Sequence, residues 1–211
     1  MQRIHVFLHP EYENFFETRM KKIIFTLLLI PFLYGCPYPC DGKSEEVGPL
    51  SAEVLTLCPY QNGDKIKLVH NNGKVIQFEV NRSLSKDVFY GMSECGSVLY
   101  FEKCEIRLTP DYPIFNVSID IINASRPINE FIISIGRDYF KFMYSDLNGF
   151  VDQEIIDSLL IDNNTYYNVF KLPNLNNYGI TKNLVDSLYY NVEKGIIKIT
   201  LSNGESYTYS E

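Results

Sequence analysis

The feature that most limits what this chain can fold into is the period-two alternation of apolar and polar residues that begins at Ala52 and persists to the C-terminus. Only strands place successive side chains on opposite faces. Phe115-Asn116-Val117-Ser118-Ile119-Asp120-Ile121 alternates without a break, with Asn, Ser and Asp on the second face. One face is buried and the other is wet, as in antiparallel sheets. Lys65-Ile66-Lys67-Leu68-Val69-His70 and Lys74-Val75-Ile76-Gln77-Phe78-Glu79-Val80 flank Asn71-Asn72-Gly73. Asn and Gly tolerate the positive φ of tight turns, so the stretch predicts a β-hairpin. Asn62-Gly63-Asp64 marks another turn just before it.

The same pattern continues downstream. Residues 98–108 read as a strand followed by a Pro-rich loop at 109–113, and residues 131–135 and 139–144 flank Gly136-Arg137-Asp138 as a second hairpin. Residues 152–160 have apolar spacing a helix can use, but Asp162-Asn163-Asn164 and the alternation after it suit a hairpin, and the segment is read as strand. Residues 184–190, 195–201 and 205–209 form a meander, with Ser202-Asn203-Gly204 predicting a type I′ turn. The expected fold is all-β, an antiparallel sandwich or a curved half-barrel over residues 52–211, in one domain. No internal repeat is found, and no low-complexity tract follows residue 51.

Nearer the N-terminus the grammar changes. Met20-Lys21-Lys22 supplies positive charge, and residues 23–33 form an apolar run, broken by Pro31, that is too short to span a bilayer. Pro31 and the following Pro37-Tyr38-Pro39 would also break a buried helix. The run ends in Leu33-Tyr34-Gly35-Cys36, a small residue directly before a cysteine. This order resembles the signal segment and lipobox of bacterial lipoprotein precursors. The resemblance implies cleavage between Gly35 and Cys36, acyl chains on Cys36, and a place in the cell envelope, anchored in the outer membrane. Residues 1–19 then read as an unstructured upstream extension, 20–35 as the signal peptide and 36–51 as a tether. Pro37, Pro39, Gly42, Gly48 and Pro49 oppose regular structure in that tether, and Lys43-Ser44-Glu45-Glu46 is polar. Its acidic pair resembles the surface-export signals of lipoproteins from Bacteroidota, although a solvated linker accounts for the same charges. The closing stretch from Tyr189 to Ile199 with Asn203-Gly204-Glu205 resembles the ends of β-rich lipoproteins from that phylum.

Cleavage before Cys36 removes 35 of 211 residues and leaves 176, enough for a full core. It also removes four of the 19 basic and three of the 26 acidic residues, which moves the net charge from −7 to −8. So acidic a surface repels nucleic acid and anionic headgroups, and attachment falls to acyl chains on Cys36. Cys40, Cys58, Cys95 and Cys104 remain, an even number in an exported chain, and two disulfides are expected. A continuous strand over 98–108 would hold Cys95 too far from Cys104, so each is expected to pair with Cys40 or Cys58.

The mature chain offers few groups for catalysis. Its one histidine, His70, alternates with Ile66 and Leu68 beside a turn and reads as a strand position rather than a base. Gly91-Met92-Ser93-Glu94-Cys95 lacks the second glycine of a nucleophile elbow and reads as a loop. Asp146-Leu147-Asn148-Gly149-Phe150-Val151-Asp152 places oxygens at alternate positions without the order of a calcium loop, so it reads as a turn; no metal or cofactor is expected. Asp157-Ser158-Leu159 and Asp186-Ser187-Leu188 resemble the O-glycosylation acceptors of Bacteroidota, making Ser158 and Ser187 candidates. Fourteen tyrosines suit ordinary sheet surface, or an aromatic binding face. The expected function is a non-catalytic envelope lipoprotein that binds a ligand or protein partner through its sheet. The competing expectation is a glycoside or other hydrolase using two carboxylates. A large apolar cavity would mark a lipid carrier, and paired acids with raised pKa values an enzyme.

Overall fold

Among the described residues, thirteen strands and one short helix follow one another in the order β1 (Ser44–Glu46), α1 (Ala52–Thr56), β2 (Lys65–His70), β3 (Val75–Tyr90), β4 (Val98–Pro110), β5 (Val117–Ser125), β6 (Ile128–Ile135), β7 (Asp138–Ser145), β8 (Gly149–Val151), β9 (Ile155–Ile161), β10 (Asn164–Pro173), β11 (Val185–Asn191), β12 (Gly195–Leu201) and β13 (Ser206–Ser210). The computed structural model describes residues 44–90, 98–125, 127–176 and 184–211, all within one unit, Gly42–Glu211. The strands form a single sheet ordered β8-β7-β6-β5-β4-β3-β2-β13-β12-β11-β10-β9, with β1 pairing β4 off this path. Every pair along the path is antiparallel, whereas β1 runs parallel to β4. The protein is all-β, and the sheet curls into a half-barrel rather than splitting into a sandwich.

Alternation in the sequence becomes alternation in burial. Along β6, Phe131, Ile133 and Ile135 point into the core while their neighbours are half-buried. The curl brings β7 and β10 together, although they stand near opposite ends of the sheet: Phe142 stacks on Phe170 at 5.5 Å, and Phe150 meets Phe170 at 4.6 Å. Backbone groups hold the same closure. The Leu175 amide donates to the Tyr139 carbonyl at 2.9 Å, and the Val185 amide to the buried Asp138 carboxylate at 2.7 Å.

Within residues 47–64, Leu50, Val54, Cys58 and Tyr60 enter the core in the concavity, with Leu55 and Leu57 packed against it. Ser51 caps α1 by accepting from the Val54 amide at 3.2 Å, and Val54 and Cys58 are fully buried. Helix C-termini leave carbonyls without partners; here Arg82 of β3 donates to the carbonyls of Leu55 at 3.0 Å, Cys58 at 3.2 Å and Tyr60 at 2.8 Å. Tyr190 of β11 donates to the Leu57 carbonyl at 2.8 Å, and Tyr144 of β7 donates to the Glu53 carboxylate. Asn123 of β5 donates to the Gly48 carbonyl at 2.5 Å. The insert is therefore tied to strands right round the curve.

This insert corrects two expectations. The tether drawn to residue 51 ends earlier, because β1 pairs with β4 and Leu50 is already in the core. Alternation does not begin at Ala52 either, since Ala-Glu-Val-Leu after a capping serine forms a turn of helix whose apolar face the half-barrel buries. Turn chemistry is also redistributed. At Ser202-Asn203-Gly204 only Gly204 has positive φ, 89°, and the Gly204 amide donates to Leu201, which is a type I turn with a bulge rather than type I′. The two-residue type I′ pattern falls instead between β9 and β10, where Asp162 and Asn163 have φ of 48° and 68°. Residues 152–160 hold no helix: β9 is a strand, as read, and the short β8 just before it was not foreseen.

Candidate functional site

Asn168, at φ 51°, bends β10 so that its first half and β9 lean over the outer face of β12 and β13. Ile161, Tyr166, Val169 and Ile197 pack there as a small second core, with Tyr189 and Tyr209 against it. Beyond that packing the hairpin tip overhangs an open cleft of about 510 Å³. Its floor is a cross-strand row, Lys198 opposite Thr208 and Thr208 opposite Val69, all on the outer face. Leu160, which is 68% exposed, Ile161 and Asp162 make the overhang. The Thr208 hydroxyl donates to the Asp162 carboxylate at 2.8 Å, which pins the tip to β13. Lys198 lines the cleft, is half-buried and makes no ion pair or hydrogen bond among the described residues. Ser206 and Asn71 add further polar groups.

This is chemistry for holding a polar ligand. The cleft contains one carboxylate, Asp162, already engaged by Thr208. His70 borders it, but its ring packs on Tyr207 at 4.8 Å, in register on the core-facing side, with Nε2 3.8 Å from Glu205. Its reading as a turn-flanking strand position agrees with that placement. A second cleft of about 730 Å³ lies on the outer face of β4, β5 and β6; its one carboxylate, Glu105, is held by Arg107 at 2.7 Å. Among the described carboxyls, Glu46 and Glu211 depart from the ordinary range. Both move down, because hydrogen bonds from Lys86 and Lys194 favour the charged form. Neither cleft brings two carboxylates together.

Cys36, Gly35, Cys40 and Cys95 lie outside the described residues, as does the 91–95 stretch. Cys58 and Cys104 are buried and free, so neither joins an expected bridge. Burial pushes the Cys58 thiol up to about 11 and raises Cys104 as well, with Arg82 beside both opposing the shift. Burial also raises Tyr60 and Tyr190. Ser158 is exposed on β9, while Ser187 is half-buried between β10 and β12. The 146–152 stretch holds the β7–β8 turn, where Asp146 accepts from Asn129 at 3.0 Å, and then the short strand β8. Among the described residues the exposed tyrosines are Tyr100 on β4, Tyr112 in the β4–β5 loop, Tyr139 on β7 and Tyr167 on β10.

The sequence reading did not find the cleft. Lys198 and Thr208 look like ordinary outward positions of a meander, and only the bend at Asn168 brings Asp162 above them. Comparison of the chain with family models, with curated proteins and with solved structures returns no match in any of the three.

Proposed function

We propose that this chain is an envelope lipoprotein, anchored in the outer membrane through acyl chains on Cys36, whose half-barrel binds a polar ligand or protein partner at the cleft beneath the β9–β10 tip. The observation that carries the reading is where open space lies. Leu50, Val54, Cys58 and Tyr60 pack into the core of the concavity, where a lipid carrier would hold an acyl chain, and the polar cleft with its unpaired Lys198 is outside. Most small-molecule pockets are walled by apolar side chains; this cleft is lined mainly by polar ones, Asn71, Asp162, Lys198, Ser206 and Thr208 among them, which favours a polar ligand. The two-carboxylate hydrolase gains no support from clefts lined by single, engaged acids.

Two measurements test the two halves of the proposal. Cys36→Ser is expected to lose all fatty-acid label, since only the thiol accepts the lipid, and label persisting on the variant would end the lipoprotein reading. Mass spectrometry of species retained by the full chain from its own membrane should show one that Lys198→Ala with Asp162→Ala no longer retains. An identical set of retained species on both chains would remove the cleft from the proposal.

A further inference from the structure

The two ends of the sheet are built differently. β8 is three residues long and starts at Gly149, whose φ is 75°; β9 is a longer strand, Ile155–Ile161, with no proline, lysine or arginine. Short, bent, proline- or lysine-bearing edges keep other chains from pairing with them, and β9 has none of these devices. Its free backbone groups follow from the register. Asp162 and Asn163 form a two-residue turn, so the flanking pair Ile161 and Asn164 exchanges hydrogen bonds, and every second residue back along β9 points its N–H and C=O away from β10. Those residues are Leu160, Ser158 and Ile156. The Tyr167 carbonyl agrees with this phase, because it turns from its partner Ser158 and accepts from Asn191 at 2.6 Å. Among the described residues no strand pairs with this outer side, and Leu160 is 68% exposed with Asp157 and Ser158 exposed beside it.

The charge along the edge selects its occupant. Between Lys141 and Lys171 the chain carries five acidic residues and no basic one. Asp152, Glu154 and Asp157 lie just before or within β9, all three are exposed, and none is in an ion pair among the described residues. Lys171 on β10 and Lys198 beneath the tip leave them unpaired as well. A second copy would meet that charge with the same sign. A two-fold axis at Ser158, the register that uses the whole edge, sets Glu154 against Asp162 of the second copy, and like charges directly opposite one another destabilise a ladder. A segment with lysine or arginine at alternate positions meets it with the opposite sign. Its backbone continues the ladder, its apolar residues lie opposite Ile156 and Leu160, and a cation lies opposite Asp157.

We infer that the outer edge of β9 takes up an extended, lysine- or arginine-bearing segment of a protein partner as a further strand of the sheet. In strand addition the main-chain hydrogen bonds supply the attraction, and side chains at alternate positions select the partner. The inference stands apart from the cleft and from the acyl anchor, because it uses the rim of the sheet and needs neither Lys198 nor Cys36.

Fluorescently labelled peptides as long as β9, seven residues, probe the edge of the full chain. One alternates valine with lysine, the second has glutamate for lysine, and the third is the first with proline at its centre. Anisotropy is expected to show the valine–lysine peptide binding severalfold more tightly than either of the others. Ser158→Pro caps the edge, because the N–H it removes faces outward and not toward β10. It should weaken binding about tenfold, the scale of one or two lost hydrogen bonds, with circular dichroism unchanged. Asp157→Lys should weaken it severalfold and raise affinity for the glutamate peptide, and it keeps the test open if the proline variant does not fold. Binding that survives proline in the peptide is attraction to net charge alone and overturns the inference, as does equal affinity for the two charge patterns or no binding at all. Sedimentation of the chain by itself supplies the remaining outcome: a dimer that Ser158→Pro disperses places a second copy on the edge and overturns the cationic partner.

Discussion

Gly195 is the residue at which the half-barrel tolerates no side chain. Its φ is +81°, and a Cβ there would run into Oη, Cζ and Cε1 of Tyr60. That ring cannot swing aside, because it is buried in the insert and its hydroxyl accepts from the Ile196 amide at 2.6 Å. Gly195→Ala therefore combines a left-handed backbone that L side chains disfavour with a collision inside a packed core, and a loss of about 2–4 kcal/mol is expected. The urea midpoint of the full chain measures it. A loss below about 1 kcal/mol, the scale of the conformational penalty alone, would show that Tyr60 does not occupy that space. Nothing in Asn191-Val192-Glu193-Lys194-Gly195 announces this constraint. A glycine after a polar turn reads as turn chemistry, and its contact with Tyr60 lies 135 positions away in the chain.

Elements were legible where their reasons are local. β2 with β3, β6 with β7, and β11 through β13 were readable because alternation and turn residues lie within a few positions of each other. α1 was not, because a single turn of helix is specified by the concavity that buries Val54 and not by period, and five residues give no period to read. The outer cleft was hidden for a related reason, since the bend at Asn168 has no local signature. The insert carrying α1 has a pH signature that follows from its burial. Cys58 is raised from 9.0 to about 11, and Tyr60 and Tyr190 are raised above 10.0, in each case chiefly by desolvation of the charged form. A raised folded-state pKa means that the native chain keeps its proton after the unfolded chain has lost it. The contribution is complete below about pH 9 and is lost as pH climbs toward 11 and beyond; for Cys58 it amounts to about 2–3 kcal/mol over that window. Urea midpoints at about pH 8, 10 and 11 should fall in sequence, with tyrosinate absorbance lagging until the chain unfolds. A midpoint flat across that range would mean that the insert is already wet in the native state.

At the scale of the whole molecule, the sheet and its insert depend on each other. A curled sheet with one apolar face needs something in the curve, and residues 47–64 supply it while bonding to β3, β5, β7, β11 and β12, strands far apart in the sheet order. The strands that share the main core and the insert have no boundary along which part of them can open alone, so their unfolding should be a single cooperative transition, with β9 and the first half of β10 on the small outer core as the one part packed elsewhere. Val54→Ala tests the coupling. The truncated side chain leaves a void at the centre of the concavity, and a loss of about 2 kcal/mol is expected. Because the insert touches both ends of the sheet, hydrogen exchange should rise by the same factor at β4 and at β12, which belong to different halves of the strand order. Faster exchange confined to α1 and its nearest strand would show that the insert docks on a sheet already stable without it, and the half-barrel would then be an open trough with a removable filling.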